Sequence, residues 1–174
     1  NWTTTTEYDG LGRTLSVTPP GLGAAGVQYN YPTPADGQVA APYSVNMQIR
    51  DTLGPSAPIN RSVWGIYDGL GRMLQQQVFD EATDDLLLTE TDYNAQGLAY
   101  RQSQPHLAAG TGGTYVSPNW GSLNHSVSTF DFLGRTTQVT APGNFVTSIS
   151  YSGLSTTTVD ANGHQITRAM DGMG

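Results

Sequence analysis

One six-residue phrase recurs in this chain and constrains its fold more than any other feature. It reads Tyr8-Asp9-Gly10-Leu11-Gly12-Arg13 and returns as Tyr67-Asp68-Gly69-Leu70-Gly71-Arg72. Looser copies are Tyr93-Asn94-Ala95-Gln96-Gly97-Leu98, Phe130-Asp131-Phe132-Leu133-Gly134-Arg135 and Val159-Asp160-Ala161-Asn162-Gly163-His164, with a last one beginning at Met170-Asp171-Gly172-Met173-Gly174. Asp51-Thr52-Leu53-Gly54 is weaker and lacks the flanking residues. The copies are unevenly spaced, which excludes a uniform solenoid or propeller and leaves strand-turn-strand units joined by variable loops.

Asp or Asn at the first position and Gly at the fourth specify a type I turn. The side-chain oxygen caps N–H groups inside the turn, and Gly takes the left-handed conformation of a bulge. Such a turn closes a three-residue hairpin loop. The acidic residue then faces the residue after Gly, pairing Asp9 with Arg13, Asp68 with Arg72 and Asp131 with Arg135. Turns are therefore expected at 9–12, 68–71, 94–97, 131–134, 160–163 and 171–174.

The flanks read as strands. Thr3–Tyr8, Val63–Tyr67, Val127–Phe130 and Thr156–Val159 enter turns, and Thr14–Thr18, Met73–Phe79, Leu98–Gln104 and Thr136–Thr140 leave them. Val27–Tyr31, Ser44–Arg50, Leu86–Tyr93 and Phe145–Tyr151 fill the gaps. Pro-rich and Gly-rich stretches such as Pro19-Pro20-Gly21 and Ala109-Gly110-Thr111-Gly112-Gly113 mark loops, the second read as flexible. No window has a helical period, so the chain is all-β. Simple alternation places Trp64, Ile66, Leu74 and Gln76 on one face and Gly65, Tyr67, Met73 and Gln75 on the other. Around the first copy it opposes Thr5, Glu7, Leu15 and Val17 to Thr6, Tyr8, Thr14 and Ser16. Neither face is then cleanly apolar, unlike a packed sandwich. The expectation is consecutive antiparallel hairpins in a curved, single-layer sheet with solvent or cargo on each side.

Composition narrows the partners. Lys+Arg number 7 against 14 Asp+Glu, a net charge of −7, and every basic residue is an arginine. Scattered cations on an acidic chain do not make the basic footprint of a nucleic-acid or anionic-membrane protein. No apolar run is long enough for a helical membrane span, and no signal segment opens the chain. With no cysteine, disulfides and thiol chemistry are excluded.

Candidate chemistry is sparse. His106, His125 and His164 lack metal-ligand spacing. Asp80-Glu81-Ala82-Thr83-Asp84-Asp85 gathers four carboxylates but lacks the EF-hand order, and reads as a solvated acidic tip. Trp2, Trp64 and Trp120 offer possible sugar platforms, although strand aromatics more often pack across strands. Asn1, Asn60 and Asn124 begin glycosylation sequons. No catalytic residue, cofactor site or metal site is expected. The polar residues singled out are those of the turns: Asp9, Gly12, Arg13, Asp68, Gly71, Arg72, Asn94, Gly97, Asp131, Gly134, Arg135, Asp160, Gly163, Asp171 and Gly174.

Tyr-Asp-x-x-Gly-Arg among Thr-rich strands resembles the YD repeat of the Rhs family, which includes bacterial polymorphic-toxin shells, the B and C components of insecticidal toxin complexes, and the teneurins. The stretch from Thr158 to Gly174 is similar to that family's two-turn unit, with Val159 and Met170 in place of its usual residues. The resemblance spans residues 1–174, as one YD-repeat segment of a longer chain. It implies a sheet spiralling into a hollow shell that encloses or presents a C-terminal, toxin-like domain, in a secreted or cell-surface setting. It implies flanking YD repeats, of the same or neighbouring chains, as partners. The family's self-cleavage segment has Asp-Pro-x-Gly at its heart, and this sequence contains no Asp-Pro. A cell-surface module that binds glycans or a partner protein is the alternative expectation.

Overall fold

The computed structural model describes residues 2–20, 25–32, 41–51, 59–80 and 83–171. Among them there is no helix, and fourteen strands account for the regular structure. They are β1 (Thr5–Tyr8), β2 (Thr14–Thr18), β3 (Val27–Asn30), β4 (Tyr43–Asp51), β5 (Ile59–Tyr67), β6 (Met73–Asp80) and β7 (Asp85–Tyr93), followed by β8 (Ala99–Ser103), β9 (His106–Ala108), β10 (His125–Phe130), β11 (Thr136–Ala141), β12 (Phe145–Ser152), β13 (Ser155–Val159) and β14 (Gln165–Ala169). Hydrogen bonding runs in sequence order from β1 to β8 and on through β10 to β14, every pair antiparallel, in one open sheet. Strand β9, which the sequence did not signal, pairs with the first half of β7.

Two compact units divide the chain. The first comprises Asn1–Glu90 and Pro105–Ser117, the second Thr91–Gln104 and Pro118–Gly174.

In the first unit the pairings correct the expected faces. Tyr67 is opposite Met73, but Ile66 is opposite Gln75, so Leu74 is an extra residue on the outgoing strand. Likewise Tyr8 faces Thr14 while Glu7 faces Ser16, skipping Leu15. A bulge beyond each turn thus moves the outgoing strand by one residue, and a one-residue slip exchanges the faces. Ser62, Trp64 and Ile66 therefore share a face with Gln75, Gln77, Leu86, Leu88 and Glu90. This face holds the buried core: Ile66, Leu86 and Leu88 are at most 2% exposed. Each contributes about 1.5–3 kcal/mol by leaving water. The opposite face carries Tyr29, Val45, Met47, Val63, Tyr67, Met73, Val78 and Leu87, an apolar surface that alternation without the bulge had hidden.

In the second unit β10 to β14 form a meander in which Thr and Ser dominate both faces. Thr157 and Thr167 share a hydroxyl hydrogen bond of 3.0 Å across β13 and β14.

Candidate functional site

The five turns within the described residues have one geometry. In the first, Gly12 N–H donates to the Asp9 carbonyl (3.0 Å) and Asp9 N–H to the Arg13 carbonyl (2.9 Å). Asp9 Oδ1 accepts from the N–H groups of Leu11 and Arg13, both at 2.9 Å, and Oδ2 accepts from Arg13 Nε at 2.6 Å. Asp68 and Asp131 repeat the set with Arg72 and Arg135. Asn94 keeps both backbone caps, to Gln96 and Leu98, and has no cation opposite it. Asp160 keeps them too and pairs with His164 Nδ1 at 2.9 Å. The closing glycines Gly12, Gly71, Gly97, Gly134 and Gly163 have φ between 77° and 84°, the left-handed region. Asp171, exposed, follows β14, and the turn expected at 171–174 falls on residues outside the described ones.

These carboxylates are held ionised. The backbone N–H of Arg13 lowers Asp9 most, as that of Arg72 does Asp68, with the guanidinium adding to each. At Asp131 partial desolvation opposes the shift, and the hydrogen bonds from Arg135 outweigh it. At Asp160 the His164 side chain leads. An anion with its lone pairs already committed to its own turn is a poor proton shuttle or nucleophile.

A register slip accompanies four of the turns, at Glu7/Tyr8, Ile66/Tyr67, Asp92/Tyr93 and Thr129/Phe130. The fifth, where Val159 replaces the aromatic residue, pairs Val159 with Gln165 and Thr158 with Ile166 without a slip. The aromatic position therefore marks the bulged hairpins.

The densest polar cluster was not anticipated. Gln75 and Gln77, 1% and 0% exposed, lie under residues 109–117. Gln77 accepts from Gly113 N–H (2.7 Å) and donates to the Thr114 carbonyl (2.7 Å). Gln75 donates to the Val116 carbonyl (3.0 Å) and accepts from Val116 N–H (3.3 Å). Each side-chain amide thus treats the overlying strap as a neighbouring strand would. Gln77 Nε2 also donates to Gln75 Oε1 (2.6 Å), and Gln75 Nε2 to Glu90 Oε1 (3.3 Å), which lies 3.3 Å from His106 Nε2. A Cβ on Gly112 (φ 87°) would stand 2.5 Å from the Trp64 ring, so only glycine brings the strap this close. The loop read as flexible is a pinned strap. Its sequence signal was the alternation Gln75, Gln77 on one strand, which the misplaced register obscured.

The remaining candidates have local partners. Asp92 accepts from Arg101 Nη2 (2.7 Å) and Tyr100 Oη (3.0 Å), which lower it despite desolvation. Arg101 lies over Trp120 at 4.2 Å, and His125 meets the same indole edge-on. Trp64 and Trp120 are therefore engaged within the chain, while Trp2 is 90% exposed. Asp84 closes the β6–β7 hairpin through its N–H to the Asp80 carbonyl (2.8 Å); Glu81 lies outside the described residues. Asn1 and the Asn60 side chain also lie outside them, and Asn124 is exposed. Among the described residues no three His, Cys, Asp or Glu side chains converge as a metal site. No protein-family model matches the sequence, and no curated protein is significantly similar to it.

Proposed function

We propose that this chain is a non-enzymatic wall segment of the Rhs/YD-repeat kind, which encloses or presents another domain. One observation carries the reading: the two faces of the first unit are finished differently. One is covered over β5 to β7 by the chain's own strap, whose backbone satisfies Gln75 and Gln77. The other presents Tyr29, Val45, Met47, Val63, Tyr67 and Met73 around a depression of about 220 Å³, with no strand or strap of the described residues over it. Tyr43 and Tyr67 stack there with centroids 5.5 Å apart. An apolar face without a cover is where a second domain gains most by docking. The turn carboxylates support the same reading, because their lone pairs serve strand register.

The test is protease protection. In the chain extended by its flanking sequence, the attached domain should survive protease concentrations that digest it when expressed alone. Equal digestion in both settings would overturn the reading, as would hydrolase turnover by this segment that a single Asp or His substitution abolishes.

A further inference from the structure

Three glutamines stand in a row on β6, and alternation divides them between the two faces. Gln75 and Gln77 hold the strap through its backbone. Gln76 belongs to the other face, opposite Gly65 on β5 and Thr89 on β7, and it lines the apolar depression. It is exposed, and its carboxamide makes no hydrogen bond among the described residues. Gly65 lies beside it as part of the floor. A Cβ there would stand 2.6 Å from the Tyr67 hydroxyl oxygen and 2.7 Å from its ring, so the missing side chain lets Tyr67 fold back over β5 and stack on Tyr43. No charged side chain of the described residues lines the hollow.

Whatever covers this hollow must satisfy Gln76. A carboxamide buried without partners is costly, and it asks for a donor and an acceptor side by side. The backbone of an α-helix does not supply them, because its N–H and C=O groups are paired internally. An extended segment carries both along its flank. The strap shows this chemistry at the neighbouring residues. Gln77 accepts from the Gly113 N–H and donates to the Thr114 carbonyl, and Gln75 does both with Val116. Gly65 and Gln76 are directly opposed, with strand partners of this kind about 4.5–5.5 Å apart, and an extended chain rises about 3.3 Å per residue. One side chain can therefore enter the hollow while the backbone beside it meets Gln76.

We propose that the element docked on this face is an extended, uncharged stretch of polypeptide, with one apolar side chain seated over Gly65 and its backbone N–H and C=O paired with Gln76. A charged side chain in the uncharged hollow would lose its hydration without a partner. The thioethers of Met47 and Met73 adapt to an aliphatic or an aromatic shape. The occupant's source, polypeptide outside residues 1–174, rests on the wall reading; its conformation and chemistry rest on Gln76 and Gly65.

A photo-crosslinking residue at position 47, in the chain extended by its flanking sequence, captures the docked segment. Gln76→Leu removes the carboxamide from an exposed position, so the fold is kept and capture should fall several-fold. Gly65→Ala should lower capture as well, by pushing Tyr67 across the hollow. Gln48→Leu, at an exposed glutamine of the strap side, should leave it unchanged. Hydrogen exchange should show an amide of the captured segment that is protected beside wild-type Gln76 and loses that protection in Gln76→Leu. Capture unaffected by Gln76→Leu while protease protection holds would overturn this proposal and leave the wall reading standing. A captured segment protected through consecutive amides, as a helix, would overturn it too. Absence of capture in a folded sample would do the same, and loss of protease protection alongside would remove the wall reading with it.

Discussion

Each turn aspartate does two jobs with two oxygens, and substitutions separate them. Asp68→Asn keeps the Oδ1 caps, as Asn94 does naturally, and gives up the charge opposite Arg72. Asp68→Ala gives up both, so thermal midpoints should fall in the order wild type, Asp68→Asn, Asp68→Ala. Titration has a defined sign. The native values of Asp9, Asp68, Asp131 and Asp160 lie below their ordinary 3.8. Their contribution is therefore complete above that value and is lost as pH falls through the lowered native values. Denaturation midpoints should be insensitive to these groups from neutrality to about pH 4 and drop below it, less steeply in Asp68→Asn; a decline spread over pH 5–7 would contradict their assignment. Gly71→Val, at φ 77°, should cost at least about 1–2 kcal/mol in chemical denaturation.

Among the elements, the hairpins were legible in the sequence and the strap was not. Asp-x-x-Gly is a local code: four residues hold the cap, the left-handed position and the partner in the ion pair, so Asp9 to Arg13 can be read without the rest of the chain. The bulge falls on the outgoing strand, outside the four-residue code, and its omission placed Gln75 and Gln76 on each other's faces. That error hid both the apolar face and the glutamine cluster. Strand β9 has only three residues and no turn code, and it pairs with Leu86–Leu88 across an intervening strand in sequence. The strap gives the element-scale prediction. Gln77→Ala leaves the part-buried Gly113 N–H and Thr114 carbonyl without their side-chain partner, at a cost of about 1–3 kcal/mol at most for the two together. Amide exchange at Gly113 should accelerate while exchange at Gly12 stays unchanged. Gly112→Ala should loosen the same strap through its contact with Trp64, and unchanged exchange in both variants would mean that the strap is held by other groups.

For the whole molecule, the claim is that repeated hairpins make a wall, and that the wall has an outside and a working side. The first unit spends its few buried side chains on closing one face beneath the strap, and leaves Met47 and Val63 on the other. Met47 and Gln48 are neighbours on β4 whose partners, Val63 and Ser62, lie on opposite faces. A photo-crosslinking residue at position 47 or at position 48, in the chain extended by its flanking sequence, reads the two faces separately. The account predicts that position 47 captures a polypeptide segment outside residues 1–174 and that position 48 does not. Capture from position 48 alone, or from neither in a folded sample, would contradict it.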